Sequence, residues 1–230
     1  RPNSRLFGFH PDADVREKAD KLVALLIPVQ KAYCSDRGFD VCVIGQQVLG
    51  GHGYVAEWGL EQNVRDSRIA QIYEGANGIQ ALDLMGRKTV RSNGELLSVL
   101  LQEFDEFIAA AQSSAAMQKY LPHLGASKEL IADVTRKVIA RAEVNPEEIG
   151  AASYAYMELL GLTLYCFMWQ RMLLAAFEKL ESGQGDAAHL NGLVKTADFF
   201  FARMLLHGKA LAEEIEAGSE TMMAMTAEQF

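Results

Sequence analysis

One carboxylate in this sequence stands where it could do chemistry. Glu74 lies in Gln71-Ile72-Tyr73-Glu74-Gly75-Ala76-Asn77-Gly78-Ile79-Gln80, a short polar hinge between two apolar helical segments. A glycine follows at once, and glycine lets a chain turn sharply, or a ligand come close, because it has no Cβ. Held close to a substrate and shielded from water, such a carboxylate gains the proton affinity of a general base. Left in solvent, it is only a helix end. Ahead of it, Gln47-Val48-Leu49-Gly50-Gly51-His52-Gly53-Tyr54 places three glycines in four positions. Backbone N–H groups in such a loop can meet phosphate oxygens with no side chain between; the same glycines also make a plain helix stop. Between the two lies Glu61-Gln62-Asn63-Val64-Arg65-Asp66-Ser67-Arg68, where Arg65 and Asp66 read as an ion pair or cap fixing the turn beneath Glu74. His52 reads as a loop histidine without chemistry. No Cys/His spacing suits zinc, so no metal site is expected.

The elements that must position these residues read as helices throughout. Asp12 or Asp14 caps a helix whose apolar positions Val15, Ala19, Leu22, Val23 and Leu26 fall at helical spacing. Pro28 should kink it or mark a join between two helices, and Gly50-Gly51 ends it. A short helix follows from Glu57 to Arg68. Another runs from Asn77 through Ile79, Leu82 and Met85 toward Val90, with Asn77 its cap. Ser92-Asn93-Gly94 is turn-forming and marks a domain boundary between 1–91 and 92–230.

Four helices are expected beyond that boundary. Leu97, Leu100, Leu101, Phe104, Phe107, Ile108 and Ala111 line the first. A connector from Ser113 to Ala126, broken by Pro122 and Gly125, leads to a second capped by Ser127. The third opens on Asn145-Pro146-Glu147-Glu148, with a capping Asn, a Pro at the first helical position and acids at the positive helix end. It runs to Glu181, stops at Gly183, and is apolar on most faces from Leu159 to Trp169, so it should be the most buried. Asp186 caps the fourth, which runs to Gly218. The tail Ser219 to Phe230 either frays or docks on a partner. No useful period-2 run occurs. The expected fold is all-α, two helical bundles in tandem.

Half of the residues are hydrophobic and 23% are charged, so the chain is globular. A net charge of −8, with scattered basic residues, argues against nucleic-acid or anionic-membrane surfaces. Cys34, Cys42 and Cys166 sit within apolar helical patterns and read as buried reduced thiols of a reducing, cytoplasmic compartment. The apolar, uncharged run Leu159 to Gln170 is too short to span a bilayer, and no signal peptide is visible. The start Arg1-Pro2-Asn3-Ser4 has no initiator Met and reads as that of a fragment.

Together, in this order and spacing, Gln47, Gly50, Gly51, Gly53 and Tyr54, then Arg65-Asp66, then Ile72-Tyr73-Glu74-Gly75 and Ile79-Gln80 resemble the C-terminal helical domain of the acyl-CoA dehydrogenases. The resemblance runs from about Asp14 to Lys88. After Ser92 the chain resembles, more loosely and by helix order alone, the extra helical domain appended to some larger bacterial members. Nothing matches the two domains that the family carries upstream.

The resemblance implies the following. The substrate is an acyl-CoA and the cofactor FAD; the product is a trans-2-enoyl-CoA, and the electrons go on to an electron-transfer flavoprotein. Glu74 abstracts the α-proton while hydride passes to flavin N5, and its own N–H helps hold the thioester oxygen. Tyr73 and Gly75 join it as substrate contacts, Tyr73 being equally readable as a core aromatic. Gln47, Gly50 and Gly51 touch the diphosphate half of an FAD held mainly by a neighbouring subunit, which makes the enzyme a homodimer or homotetramer. Ala76 and Gly78 depart from the Thr and Gln of many members, so two side-chain hydrogen bonds to FAD are absent; Asn77 stands in for them or caps the helix. An acyl-CoA oxidase of the same superfamily, and a non-catalytic helical interaction module, stay open as alternatives. Residues 1–230 by themselves should fold but be inactive, the flavin resting mostly on the missing domains.

Overall fold

The computed structural model describes residues 10–229. The readings of the start at Arg1–Ser4 and of the last residue, Phe230, lie outside the described residues. Among the described residues there is no strand.

Helix α1 spans Ala13–Val48, with the Asp12 carboxylate accepting from the Asp14 N–H at 2.9 Å. It runs on through Pro28, so no join between two helices falls there. A mid-helix proline costs about 3 kcal/mol. Here Pro28 is buried, and the helix around it is held by Leu25, Val29, Ala32 and Tyr33, all buried against neighbouring helices. After α1 come the short α2 (Gly51–Tyr54), a 3₁₀ turn (Ala56–Trp58) and α3 (Leu60–Ile69). The helix expected from Glu57 is therefore cut at Gly59, whose φ of 73° is left-handed. Helix α4 (Asn77–Leu82) widens into π-helical turns over Asp83–Val90, where the Thr89 hydroxyl donates to the Leu84 carbonyl five residues back.

A turn with left-handed Asn93 and Gly94 leads to α5 (Glu95–Ala111). Helix α6 (Leu121–Val144) starts six residues before the expected Ser127. Pro122 sits in its first turn, where a missing N–H has no intrahelical partner to lose, so it opens the helix instead of breaking the chain. Helix α7 is Glu147–Glu181, with Asn145 Oδ1 accepting from the Glu147 N–H and Gly183 left-handed just past its end. The expected fourth helix is two. Helix α8 (Ala187–Phe199), capped by Asp186, passes into π-helical turns at Phe200–Met204, and α9 (His207–Glu216) resumes after Leu206. Of the tail only Ser219 is held, buried with its N–H and hydroxyl both donating to Glu148 at 2.9 and 2.7 Å, while residues 220–229 are exposed.

The apolar core does not divide at the turn near residue 92. One cluster joins Leu25, Val29, Ala81, Leu84 and Met85 to Leu100, Phe104, Val138, Tyr156 and Leu160. Helix α7 is its axle and packs on α1, α4, α6, α8 and α9. At Gly161 the Tyr33 ring lies so close that an added Cβ would come within 2.4 Å of it; the glycine is what lets α1 and α7 meet. By length and composition α7 could cross a membrane, but half of its most apolar window is buried among the other helices. Of the cysteines only Cys166 is buried, its thiol pushed up to about 12 by that burial; Cys34 is exposed and Cys42 partly so, because the α1 stripe turns away from them.

Candidate functional site

Helix α3 delivers the chain to a tight turn between Ala70 and Ala76. The Ile72 and Tyr73 N–H groups return to the Ile69 carbonyl, and the Asn77 N–H closes the loop onto the Gln71 carbonyl at 3.1 Å. Glu74 and Gly75 are consecutive left-handed residues, with φ of 55° and 85°. Glycine takes this conformation freely, whereas a glutamate there carries strain on the order of 1–3 kcal/mol. Such strain persists only where the surroundings impose it. They do so here: Gln80 Nε2 donates to the Glu74 carbonyl at 3.0 Å, and Lys31 Nζ to the Gly75 carbonyl at 2.7 Å. The Glu74 side chain is exposed at the tip and bonded to no other side chain among the described residues. Tyr73 beside it is half exposed rather than a core aromatic.

Behind the turn lies a buried polar cluster. Asp36 of α1 is 5% exposed. Its Oδ1 accepts from the side-chain amides of Gln71 and Asn77, both at 2.6 Å, and its Oδ2 from the Tyr154 hydroxyl of α7 at 2.5 Å. The Asn77 amide also reaches Ser35 Oγ at 2.9 Å, and its Oδ1 accepts from Lys31 Nζ at 2.7 Å. Burial first, then the bond to Asp36, push the Tyr154 phenol up, so it stays a donor at neutral pH. One turn further along α7, Glu158 pairs with Arg37 at 3.3 Å. Burial raises the Glu158 carboxyl while Arg37 draws it the other way.

Two expectations change here. Asn77 is no cap: Ala76 holds that position, and the Asn77 side chain points inward with its atoms engaged by the protein. Arg65 and Asp66 do not pair. Asp66 accepts from Gln62 on its own helix, and Arg65 has no ion pair among the described residues. The link beneath the turn is made by Arg68, which donates to Gln71, and by Gln71, which donates to Asp36.

The glycine loop is a separate feature at the far end of α1. Twelve helical residues separate Asp36 from Val48, about 18 Å at 1.5 Å each. Its glycines differ in purpose. Gly50 has φ 56° and ψ −137°. Gly53 is buried, and an added Cβ would lie 2.1 Å from the Gln46 carbonyl oxygen. Gly51 borders open space, and with Gln47 and Gly50 it is exposed. Around both features lies apolar surface open to solvent: Val41, Ile44 and Val48 on α1, Tyr54 and Trp58 on the loop, Ile72, Tyr73 and Ile79 at the turn. Large exposed apolar patches mark contact surfaces. His52 only meets the Trp58 ring edge-on.

The sequence that folds this way has known relatives. Residues 13–88 match the family model described as acyl-CoA dehydrogenase, C-terminal domain, and residues 100–226 match the one described as acetyl-CoA dehydrogenase C-terminal like. The chain belongs to the acyl-CoA dehydrogenase family. Among its relatives, the 3-methylmercaptopropionyl-CoA dehydrogenase of Ruegeria pomeroyi is 31% identical over 93% of this chain and 36% of its own length. A broad-specificity linear acyl-CoA dehydrogenase of Mycobacterium tuberculosis is 26% identical over 90% of the chain and 35% of its own. A butyryl-CoA dehydrogenase of Syntrophomonas wolfei is 28% identical over 82% and 31%. The chain thus spans about a third of the length of these curated relatives. In this acyl-CoA dehydrogenase chain the two family matches fall on either side of the turn at Asn93-Gly94.

The structure brings Tyr73, Glu74, Gly75 and Asn77 onto one turn and leaves Gln47, Gly50 and Gly51 on another loop. Sequence reasoning missed Lys31, Asp36 and Tyr154. Asp36 carried a signal: it continues the buried line of Leu25, Val29, Ala32 and Tyr33 at helical spacing, and a charge on such a face needs partners. Nothing local pointed to Tyr154.

Proposed function

We propose that this chain is the C-terminal part of an FAD-dependent acyl-CoA dehydrogenase that converts acyl-CoA to trans-2-enoyl-CoA, with Glu74 as the base that takes the α-proton. The observation that carries the reading is the left-handed Glu74. It is a strained glutamate whose carbonyl and following residue are both tied down while its carboxylate is left free. Strain kept at such a position is a mark of function. The carboxylate works as a base once water is kept off it, and the apolar rim of Ile72, Tyr73 and Ile79 is suited to a covering surface. Tyr73 and Gly75 would then border the thioester, and the Glu74 N–H would hold its oxygen as charge develops there.

The residues fit the implied cofactor in part. Gly50 and Gly51 offer backbone to solvent with no side chain in the way, which suits a diphosphate, and Gln47 lies beside them. Asn77 does not fit as a direct contact, its side chain being buried and engaged. Bound FAD would supply the acceptor for the β-hydrogen. A diphosphate reached across a subunit boundary makes the whole enzyme at least a homodimer, with electron-transfer flavoprotein as redox partner and the cytoplasm as its place.

The test uses the complete protein. Glu74→Gln keeps the shape of the side chain and removes the base, so turnover should fall by the ~10²–10⁴-fold typical of general-base loss, with flavin content unchanged. Near-normal turnover in that variant would overturn the assignment.

A further inference from the structure

We propose that Tyr154, on the far side of the Asn93-Gly94 turn, is a positioning residue for Glu74, acting through Asp36. The proposal rests on the reading of Glu74 as the base. It gives the second half of the chain, residues 92–230, a part in the chemistry of the first.

Asp36 has two buried oxygens and three side-chain donors. Gln71 and Asn77, at the two ends of the catalytic turn, share Oδ1, while the Tyr154 hydroxyl is the donor to Oδ2. The Gln71 carbonyl also accepts the Asn77 N–H, so the base of the turn is closed twice, once by backbone and once through the carboxylate. The turn cannot shift or open without pulling an amide from Asp36. The carboxylate, in turn, is fixed by what holds its other oxygen, and that comes from α7. Glu158, four residues on, grips Arg37, the neighbour of Asp36, which also lies over the Tyr33 ring. Two side chains one helical turn apart on α7 thus hold two adjacent residues of α1.

The arrangement is not what plain stability would select. Burying a carboxylate costs free energy that an apolar contact would not, and a half-satisfied network is worse than none. Tyr154 itself is 45% exposed, so it adds little to the core. What its hydroxyl adds is geometry. A base must lie within hydrogen-bond reach of the proton it takes, and a displacement of about 1 Å can lower turnover on the order of 10²-fold.

Tyr154→Phe removes one oxygen from a half-exposed ring and opens no cavity. Asp36→Asn is the second variant; it keeps the volume but turns one acceptor into a donor facing donors. Hydrogen exchange on the 230-residue chain needs neither cofactor nor substrate. In both variants, amides of residues 71–78 should exchange roughly ten- to a hundredfold faster, the effect of losing one bond to a charged group, with α6 and α9 unchanged. In the complete protein, kcat should fall at least about tenfold while KM for the acyl-CoA stays within about threefold, a split that general loss of stability would not produce.

The two ideas fail separately. If Glu74→Gln abolishes turnover while Tyr154→Phe leaves both kcat and exchange at 71–78 unchanged, the positioning role is refuted and the base stands. If Glu74→Gln turns over normally, the base assignment falls and takes the catalytic side of this proposal with it. Faster exchange spread evenly over all helices would reduce Tyr154 to a stability contact and also overturn it.

Discussion

The contact of Gly161 with Tyr33 offers a direct test of whether the two halves share one core. A Cβ built on Gly161 would lie 2.4 Å from the Cγ and Cδ2 atoms of the ring and 2.8 Å from Cδ1. Ordinary carbon contacts are near 3.5–4.0 Å, so Gly161→Ala forces the ring back by about 1 Å. It has little room, since Tyr33 is 5% exposed and its ring meets Tyr165 edge-on at 5.0 Å. Overpacking of this kind costs about 1–3 kcal/mol. Alanine at a helix interior returns about 1 kcal/mol of propensity over glycine. The net is a loss of up to about 2 kcal/mol, or a fall of as much as roughly 4–8 °C in Tm for a chain of this size. Thermal and urea unfolding followed by circular dichroism would measure it. The companion variant Tyr33→Leu removes the clashing ring, and in that background Gly161→Ala should become neutral or stabilising. A single transition is expected for both. If Gly161→Ala stabilises the parent as much as it stabilises the Tyr33→Leu variant, the two residues are not coupled and the packing of α1 on α7 described above is wrong. Two resolved transitions would refute the shared core itself.

Gly53→Ala sets a Cβ against the Gln46 carbonyl oxygen and should displace α2 from the end of α1, whereas Gly51→Ala, bordering open space, should leave unfolding unchanged; tryptophan emission from Trp58, which touches His52 on α2, reports the difference, and equal spectra for the two variants would refute it. The two bonds from Ser219, its hydroxyl foremost, hold the Glu148 carboxyl below the usual range, with Arg141 adding to the effect. A depressed acid stabilises the fold above its unfolded value and loses that contribution as pH falls through its folded one. Acidification below the ordinary Glu range should therefore release Ser219, seen as faster exchange of its N–H, and Glu148→Gln should weaken the hold at neutral pH and flatten the pH dependence; a Ser219 N–H equally protected in both would contradict the latch.

The helix ends that could be read in advance are those set by local chemistry. Asp12, Asn145 and Asp186 each accept from an N–H two residues on, and Gly183 and Gly218 take the left-handed conformation that closes a helix. Errors arose where distant packing outweighed a local rule or where one residue had two local uses. Pro28 was read as a kink or a join between two helices, yet α1 continues through it as one helix, with buried side chains around it. Pro122 was read as a breaker, and it serves as a first-turn residue. The widening at Phe200–Met204 leaves the apolar spacing nearly intact, so one stripe looked like one helix. At the site, Glu74, Gly75 and Tyr73 were legible because they are contiguous. Asp36 could have been suspected from its place on a buried face. Its bond to Tyr154 spans 118 residues, and no local pattern encodes a contact of that separation.

That division has a physical consequence for how the site works. On the proposed reading of Glu74, a base has to be both placed and dried, and the two tasks would fall on opposite sides of one turn. Placement comes from behind, through Lys31, Asp36, Gln71, Asn77 and Tyr154, by hydrogen bonds of 2.5–2.7 Å that the chain makes within itself. Drying would have to come from the front, where Glu74 is open and Ile72, Tyr73 and Ile79 present an apolar rim that nothing among the described residues covers. A polar network is directional and suits the first task; apolar surface is not directional and suits the second. Loss of a donor behind the turn should therefore move the carboxylate without wetting it and lower kcat. Loss of apolar area in front, as in Ile72→Ser, should wet it without moving it and leave hydrogen exchange at 71–78 as it was.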